Sequence, residues 1–481
     1  MKGFHRPRIG SSNEKEKATI KHVEDVYVTR TSTDSLESGS VEQPAGAFGE
    51  GEVNYQTLSW RSATVILIKL QIGVGVLSLP SAFQTLGLVP GLIILLSFAV
   101  FATWADYYQG IFKLKHPTVY SLQDAGRLMF GRVGSEVFGT AYWLFLVMIA
   151  GSALLTLSTA LNAISLHGAC TALFVGVSAL ATLPLASVRK LENIRWLGWV
   201  GLVSIVAALM TLTIAVPVGG RPSLAPSEGP FNIEIVLFGK PTFAQGMNAI
   251  STLWWAWCGG GSMLPVFAEM RDPREFKKSV FCAQVFVTAI YVVIATVVYV
   301  FAGQYVASPA FGTAGVLIKR IAYGISIPGL LFTSVLNTHL PAKYIFMRVL
   351  RDSRHLTTAT PTHWIVWLSC TIGCLVFSYI IASAIPVFDG LVGLIGALLG
   401  AFLALNAQAM MYLYDHRDFF RNKDKRTALA WFGVVFNIFL VLIASFIMVA
   451  GTYGSALAIR DGLASGDSTS PFGCADNSGS V

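Results

Sequence analysis

Charge is what this chain has least of. Of its 481 residues only 12% are Asp, Glu, Lys or Arg, about half the share in a soluble domain, while 54% are hydrophobic and the mean hydropathy is +0.62. That balance excludes an ordinary soluble fold and leaves a polytopic membrane protein. Catalytic signatures are also missing. There is no Gly-x-Ser-x-Gly elbow, no His-Glu-x-x-His zinc motif and no Gly-x-x-x-x-Gly-Lys-Ser phosphate loop, so the chain reads neither as an enzyme nor as an ATP-driven pump. Acidic rings and repeated filter segments, which would suggest a channel, are absent. The six cysteines are scattered singly. They predict no metal site and no disulfide framework, and Cys370 and Cys374 read as helix packing. No cofactor is expected. No apolar stretch of a secretory leader stands in residues 1–55.

What is present is a series of long apolar runs. Residues 1–55 are polar and read as a disordered cytoplasmic tail, 56–455 as the transmembrane domain, and 456–481 as a short extracytoplasmic tail in loop conformation. Runs of roughly 20 residues predict about eleven all-α transmembrane helices: 61–84, 88–112, 134–164, 168–187, 194–217, 243–269, 276–302, 313–350, 361–383, 387–413 and 427–452. The eighth is too long for one crossing, and a short extracellular helix is expected before a membrane helix that begins near Ile327. With a cytoplasmic N terminus, the inside loops hold twenty basic residues, from Lys113 to Arg426, and the outside regions hold five. Topology thus accounts for the net charge of +8, and no nucleic-acid partner is needed. The lipid bilayer is the implied partner.

Two of the runs are interrupted. The first reads Lys69-Leu-Gln-Ile-Gly73-Val-Gly75-Val-Leu77-Ser-Leu-Pro80; the second reads Trp254-Trp-Ala-Trp257-Cys-Gly259-Gly260-Gly261-Ser262-Met-Leu-Pro265. Glycine and proline in mid-helix free backbone N–H and C=O groups, and in lipid such groups need a protein or cavity partner. The breaks fall in helices one and six. A repeat of five helices is odd, so its second copy enters the membrane inverted. The result is a five-plus-five inverted repeat with one extra helix, an arrangement expected of secondary transporters.

These segments resemble a known family. Gly73-Val-Gly75-Val-Leu77-Ser-Leu-Pro80 with Gly87-Leu-Val-Pro90-Gly91 resembles the first helix of the amino acid/auxin permease family, and Cys258-Gly-Gly-Gly261-Ser262 with Pro265-Val-Phe267-Ala-Glu269-Met270-Arg271-Asp-Pro273 its sixth. Asn337-Thr338-His339-Leu-Pro341-Ala-Lys343-Tyr344 is similar to helix eight of fungal members, and Ser121-Leu-Gln-Asp124-Ala-Gly126-Arg-Leu-Met-Phe130-Gly131 to the first large inside loop. The fungal neutral amino acid permeases of the methyltryptophan-resistance type are the most similar. The resemblance spans residues 58 to about 450. It implies secondary transport of an amino acid on the five-plus-five fold, driven by protons or, in some members, by sodium.

An amino acid zwitterion needs a site for each of its charges and a side-chain pocket. In helix one, Ile72, Gly73, Gly75 and Val76 would bring free N–H groups and a positive dipole end to the carboxylate. Carbonyls around Gly259, Gly260 and Gly261, with the Ser262 hydroxyl, would receive the ammonium group. Tight helix packing is the alternative use of such glycines. Trp254, Trp255 and Trp257 precede the second break and could form the side-chain pocket or a gate, or else an interfacial belt, with Trp254 and Trp257 the chosen candidates. Lys69, about one turn before the break, is either a cytoplasmic snorkelling lysine or a coupling group. As a coupling group its ammonium would sit where sodium-coupled relatives of the fold bind a cation, with Thr333, Ser334, Asn337 and Thr338 as oxygen partners. Glu269 and His339 are gating candidates; an exposed helix-end charge and a structural histidine are the competing readings. Nothing assigns a role to Asp106. Neither a carboxylate nor a second cation is evident in the pocket segments, so neutral amino acids are expected, large or aromatic ones included. A receptor with the same site but little transport is the rival reading, and sodium the rival ion. The plasma membrane is expected before the vacuolar one.

Overall fold

The computed structural model describes residues 58–479, apart from 190–194, 227, 351–352, 354, 356–359, 422–427 and 465–469. The predicted tail 1–55 lies outside the described residues. The described part is all-helical. Helix one is split into α1 (Trp60–Gln71), a 3₁₀ turn (Val74–Ser78) and α2 (Leu79–Leu86). There follow α3 (Leu88–Lys115), α4 (Leu122–Ser165), α5 (Thr171–Ala186) and α6 (Arg195–Gly219). Helix six is split into α7 (Phe243–Trp255), a 3₁₀ turn (Cys258–Ser262) and α8 (Met263–Ala268). The last five are α9 (Phe276–Ala302), α10 (Val316–Val349), α11 (Pro361–Ala384), α12 (Phe388–Asp415) and α13 (Ala430–Ala464). Eight of these are individually long and apolar enough to cross a membrane. The bent first pair makes a ninth candidate span, while α5 and the broken sixth helix are apolar but shorter; with these two the described helices follow the order of the eleven runs read from the sequence.

Local chemistry sets several boundaries. Ser121 begins α4 with a reciprocal cap: its hydroxyl accepts from Asp124 N at 3.2 Å, and Asp124 Oδ2 accepts from Ser121 N at 3.0 Å. Thr242 and Gln245 repeat the device at the start of α7. Gly87, with φ +89°, turns the chain from α2 into α3. The first N–H groups of α3, which no helical carbonyl can reach, donate instead to Val236 O and Leu237 O at 3.0 Å each. At the basic end, Leu58 N donates to Glu269 O (3.0 Å), Arg271 N to Leu58 O (2.8 Å) and the Ser279 hydroxyl to Trp60 O (2.9 Å). The first two bonds tie the start of helix one to the end of helix six, and the third ties it to α9.

Four expectations are corrected. The loop expected at 121–131 is helical, joined to helix three through a kink at Gly131 (φ 67°, ψ −148°). Helix eight is one continuous helix from Val316, because Pro328 and Pro341 are absorbed within it; only the turn Ala310–Thr313 precedes it separately. The eleventh helix continues past Thr452 to Ala464. Gly454 does not end it but lets it approach α7, where a Cβ would lie 2.9 Å from Asn248 N. Finally, Cys170 and Cys474 form a disulfide across 304 residues. Both cysteines lie on the side opposite the basic loops.

Candidate substrate site between the broken helices

The two breaks meet. A Cβ on Gly75 would lie 3.0 Å from Ala256 Cα and 3.2 Å from the Trp255 ring; one on Gly259 would lie 2.8 Å from Gln71 Cγ and 2.9 Å from Leu70 O. Gly75 and Gly259 therefore allow the unwound segments to touch. At Gly73 a Cβ would meet nothing within 4 Å, because that residue faces open space. The space is a cavity of about 440 Å³, within the range of ligand pockets. Its wall includes Gln71, Ile72, Gly73 and Gly75 from helix one, Trp255, Gly259 and Ser262 from helix six, and Phe145, Ile205 and Phe332 from helices three, five and eight.

From the breaks the cavity runs along Ile66, Lys69, Asn337 and Leu340, toward the basic side. On the other side Val76, Leu77 and Phe83 are fully buried. There the Ser81 and Ser308 hydroxyls both donate to Asp389 Oδ1, joining helix one to helix ten.

One side chain holds both breaks. The Tyr291 hydroxyl on α9 lies 2.8 Å from Gln71 O and 2.8 Å from Ala256 O. A phenol has one proton, so the two carbonyls share it. The ring is fully buried and packs edge-on against Trp257 with centroids 5.0 Å apart. Around each break, N–H groups at the start of a 3₁₀ turn lack helical acceptors and are available to an anion.

The expected residues separate into those on the cavity wall and those elsewhere. Ile72, Gly73, Gly75, Gly259 and Ser262 line the cavity, and the Ser262 hydroxyl is 3.0 Å from the Tyr142 hydroxyl. Val76 is packed in the core. Gly261 is in ordinary contact with Leu403 Cβ, 3.7 Å from a built Cβ. The surroundings of Gly260 lie outside the described residues. Trp254 and Trp257 are turned away: Trp254 packs edge-on against Phe98 at 5.1 Å, and Trp257 faces Tyr291. The tryptophan on the wall is Trp255, between them.

Lys69 Nζ lies in the cavity 4.0 Å from the centroid of the Phe332 ring, a cation–π contact between helices one and eight. It also packs against Gly198 of α6. Of the four expected oxygen partners, Thr333 and Asn337 line the same cavity, but they bond within helix eight, to Gly329 O (2.9 Å) and Thr333 O (2.8 Å). Ser334 faces the other way and accepts from the Thr182 hydroxyl at 3.2 Å. Thr338 is buried outside the lining. Glu269 is exposed where helices one and six are tied together, with Lys343 as the nearby cation. His339 is fully buried away from the cavity. Its Nδ1 donates to Ala186 O at 3.1 Å, and its ring packs on Trp367. Asp106, also buried, accepts from Gln284 Nε2 at 2.5 Å and joins α3 to α9.

Two discontinuous helices facing each other at a buried cavity, inside a five-plus-five inverted repeat, define a secondary-transporter architecture. The chain belongs to the transmembrane amino acid transporter protein family, whose model matches residues 56–457. A transmembrane transporter of Gibberella moniliformis is 34% identical over 429 residues, covering 89% of this chain and 90% of that one. The N amino acid transport system protein of Neurospora crassa is 31% identical over 430 residues, with the same coverage. Among solved structures, the nucleobase-cation-symport-1 family transporter MHP1 in a closed conformation aligns with a TM-score of 0.52 at 15% identity, over 92% of this chain and 99% of that chain. MhsT in complex with L-phenylalanine aligns with a TM-score of 0.51 at 14% identity, over 83% and 99%. At these identities the two structures speak to the fold. Several residues of the site were missed from the sequence. On the wall, Gln71 was overshadowed by Lys69, and Phe332 stands in an apolar run with no local mark; Tyr291, behind the wall, stands in another.

Proposed function

We propose that this chain is a secondary active transporter that moves neutral amino acids across a membrane by alternating access, coupled to protons. The observation that carries the reading is the cavity at the facing breaks, where main-chain groups suit a zwitterion and Lys69 is the charged side chain of the wall. No carboxylate stands among the described lining residues, so a cationic side chain would find no partner there. The rings of Phe145, Trp255 and Phe332 suit bulky neutral substrates. Lys69 is the coupling group: its ammonium already holds positive charge between helices one, five and eight, where it repels a metal cation and can give up a proton instead. The proposed setting is the plasma membrane with a cytoplasmic N terminus, supported by the basic loops on one side and the disulfide on the other.

Counterflow of labelled amino acid in proteoliposomes tests the reading. Exchange, and accumulation driven by a proton gradient, are expected. Binding without exchange would make the protein a receptor, and accumulation that needs sodium would replace the proton. Lys69→Ala is expected to exchange but not to accumulate; a variant that accumulates with the parental pH dependence sinks the coupling role.

A further inference from the structure

The cavity wall is mostly apolar, so its polar side chains can be accounted for one by one. Thr333 and Asn337 bond within their own helix, and Ser262 bonds Tyr142. Gln71 is different. It borders the cavity and is 4% exposed, and neither its Oε1 nor its Nε2 has a hydrogen-bond partner among the described residues. Its position is fixed from two sides. Its stem lies against Gly259, and its carbonyl oxygen is one of the two held by Tyr291. A planar donor–acceptor pair thus stands unused at the junction of the two breaks. The Trp255 indole N–H, on the wall beside Gly75, is a second donor without a partner. Buried polar groups are rarely left so, because each forfeits the hydrogen bonds it had in water. Water, or a ligand seated between the breaks, can supply the partners, and a ligand that displaces the water has to replace its bonds.

We propose that Gln71 is the specificity-determining side chain of this cavity, and that it selects neutral amino acids whose side chain ends in a carboxamide. The proposal rests on the amino acid transport reading above. In that reading the ammonium and carboxylate common to all amino acids are served by main-chain groups of the breaks. The Gln71 amide is then left for the part of the substrate that varies. A carboxamide carries an acceptor and a donor in one plane and pairs head-to-tail with another carboxamide, satisfying Oε1 and Nε2 together. Its oxygen has a second lone pair, which the Trp255 N–H suits. A hydroxyl offers a single proton. A thioether or alkyl chain of the same length offers none, and would seal both Gln71 atoms away from any partner. Sites built around such a group reject the apolar analogue far more strongly than hydrophobic fit alone can.

The test compares glutamine with methionine, which are close in length and volume, as transported substrates of the full-length protein in proteoliposomes. The parental protein is expected to favour glutamine by roughly tenfold or more in kcat/KM. Gln71→Met keeps the volume and removes the amide; the ratio of kcat/KM for glutamine to that for methionine is expected to fall toward one. Two results overturn the proposal: equal handling of the two substrates by the parental protein, or a Gln71→Met variant that lowers both by the same factor, which would place Gln71 in service of the common zwitterion. If the variant fails to fold, the parental comparison decides alone. Exchange of neutral amino acids without a carboxamide preference defeats this proposal only; no exchange of any amino acid defeats the transport reading beneath it.

Discussion

Replacing Tyr291 with phenylalanine removes one oxygen from the interior and leaves two carbonyls without their shared donor. The ring remains, so its contact with Trp257 and its place in α9 are kept. What is lost is the bond from one hydroxyl to Gln71 O and Ala256 O, each at 2.8 Å in a fully buried setting. A buried hydrogen bond contributes about 1 kcal/mol net, and a buried carbonyl left unpaired costs about 1–3 kcal/mol. The two carbonyls terminate the helical segments on either side of the substrate space, so the cost falls on the arrangement that holds the breaks together. If about 1.4 kcal/mol of it appears in the substrate-bound state, the apparent affinity falls about tenfold. The expected result is a raised KM for every transported amino acid, about tenfold or more for a substrate that also pairs with Gln71, with the protein still monodisperse by size-exclusion chromatography. A Tyr291→Phe protein with a KM within about twofold of the parental value would refute the claim that this hydroxyl braces the site.

The glycines should differ in sensitivity according to what a Cβ would meet. Gly75→Ala and Gly259→Ala place a methyl within 3.0 Å of the facing break, at Ala256 Cα in one case and Gln71 Cγ and Leu70 O in the other, and overpacking of this kind costs about 1–3 kcal/mol. Both should lose most uptake, whereas Gly73→Ala, which meets nothing within 4 Å, should fold like the parent and change only substrate affinity; equal effects at all three positions, measured as initial uptake rates, would contradict this. The Cys170–Cys474 bond closes a loop of 304 residues, so Cys474→Ser or mild reduction should lower thermal stability in detergent, by up to several kcal/mol on loop-entropy grounds, with KM unchanged. An unaltered melting temperature would mean that the hydrogen bonds of the tail, from Lys319 Nζ to Ser478 O and Gly479 O and from the Thr171 hydroxyl to Ala475 O, suffice without it.

Much of the fold was legible because the bilayer removes most alternatives. Apolar run length, the side on which the basic residues fall and the positions of Gly73, Gly75 and Gly259 each report a constraint that acts locally. The parts that were missed depend on contacts between distant segments. Trp254 and Trp255 are rotated about 100° from each other and Trp257 lies just past the end of α7, and only the packing of Phe98 and Tyr291 decides that Trp255 reaches the cavity. The stretch after Thr452 reads as loop until Gly454 is seen packed on α7, and Cys170 looks solitary until the chain returns 304 residues later. Lys69 was conspicuous as a charge in an apolar run, but its partner was not. The Thr333 hydroxyl and the Asn337 amide nitrogen donate within helix eight, and the ammonium lies on the face of Phe332, a residue that nothing in its local sequence distinguishes.

The same contacts imply that recognition of the common and the variable part of a substrate is not fully separable here. Tyr291 holds the main chain of Gln71, the residue whose side-chain amide is left for the substrate. A shift in that carbonyl moves the amide with it, since only one residue's rotamers lie between them. Groups in direct contact generally show interaction energies of about 0.5–3 kcal/mol rather than independent effects. The second anchor of the side chain, its contact with Gly259, lies on the other broken helix, which Tyr291 holds through Ala256. One buried hydroxyl therefore sets the distance between the two halves of the site and the position of the group that reads what lies between them. A transporter built this way can change selectivity through a side chain that never touches its substrate.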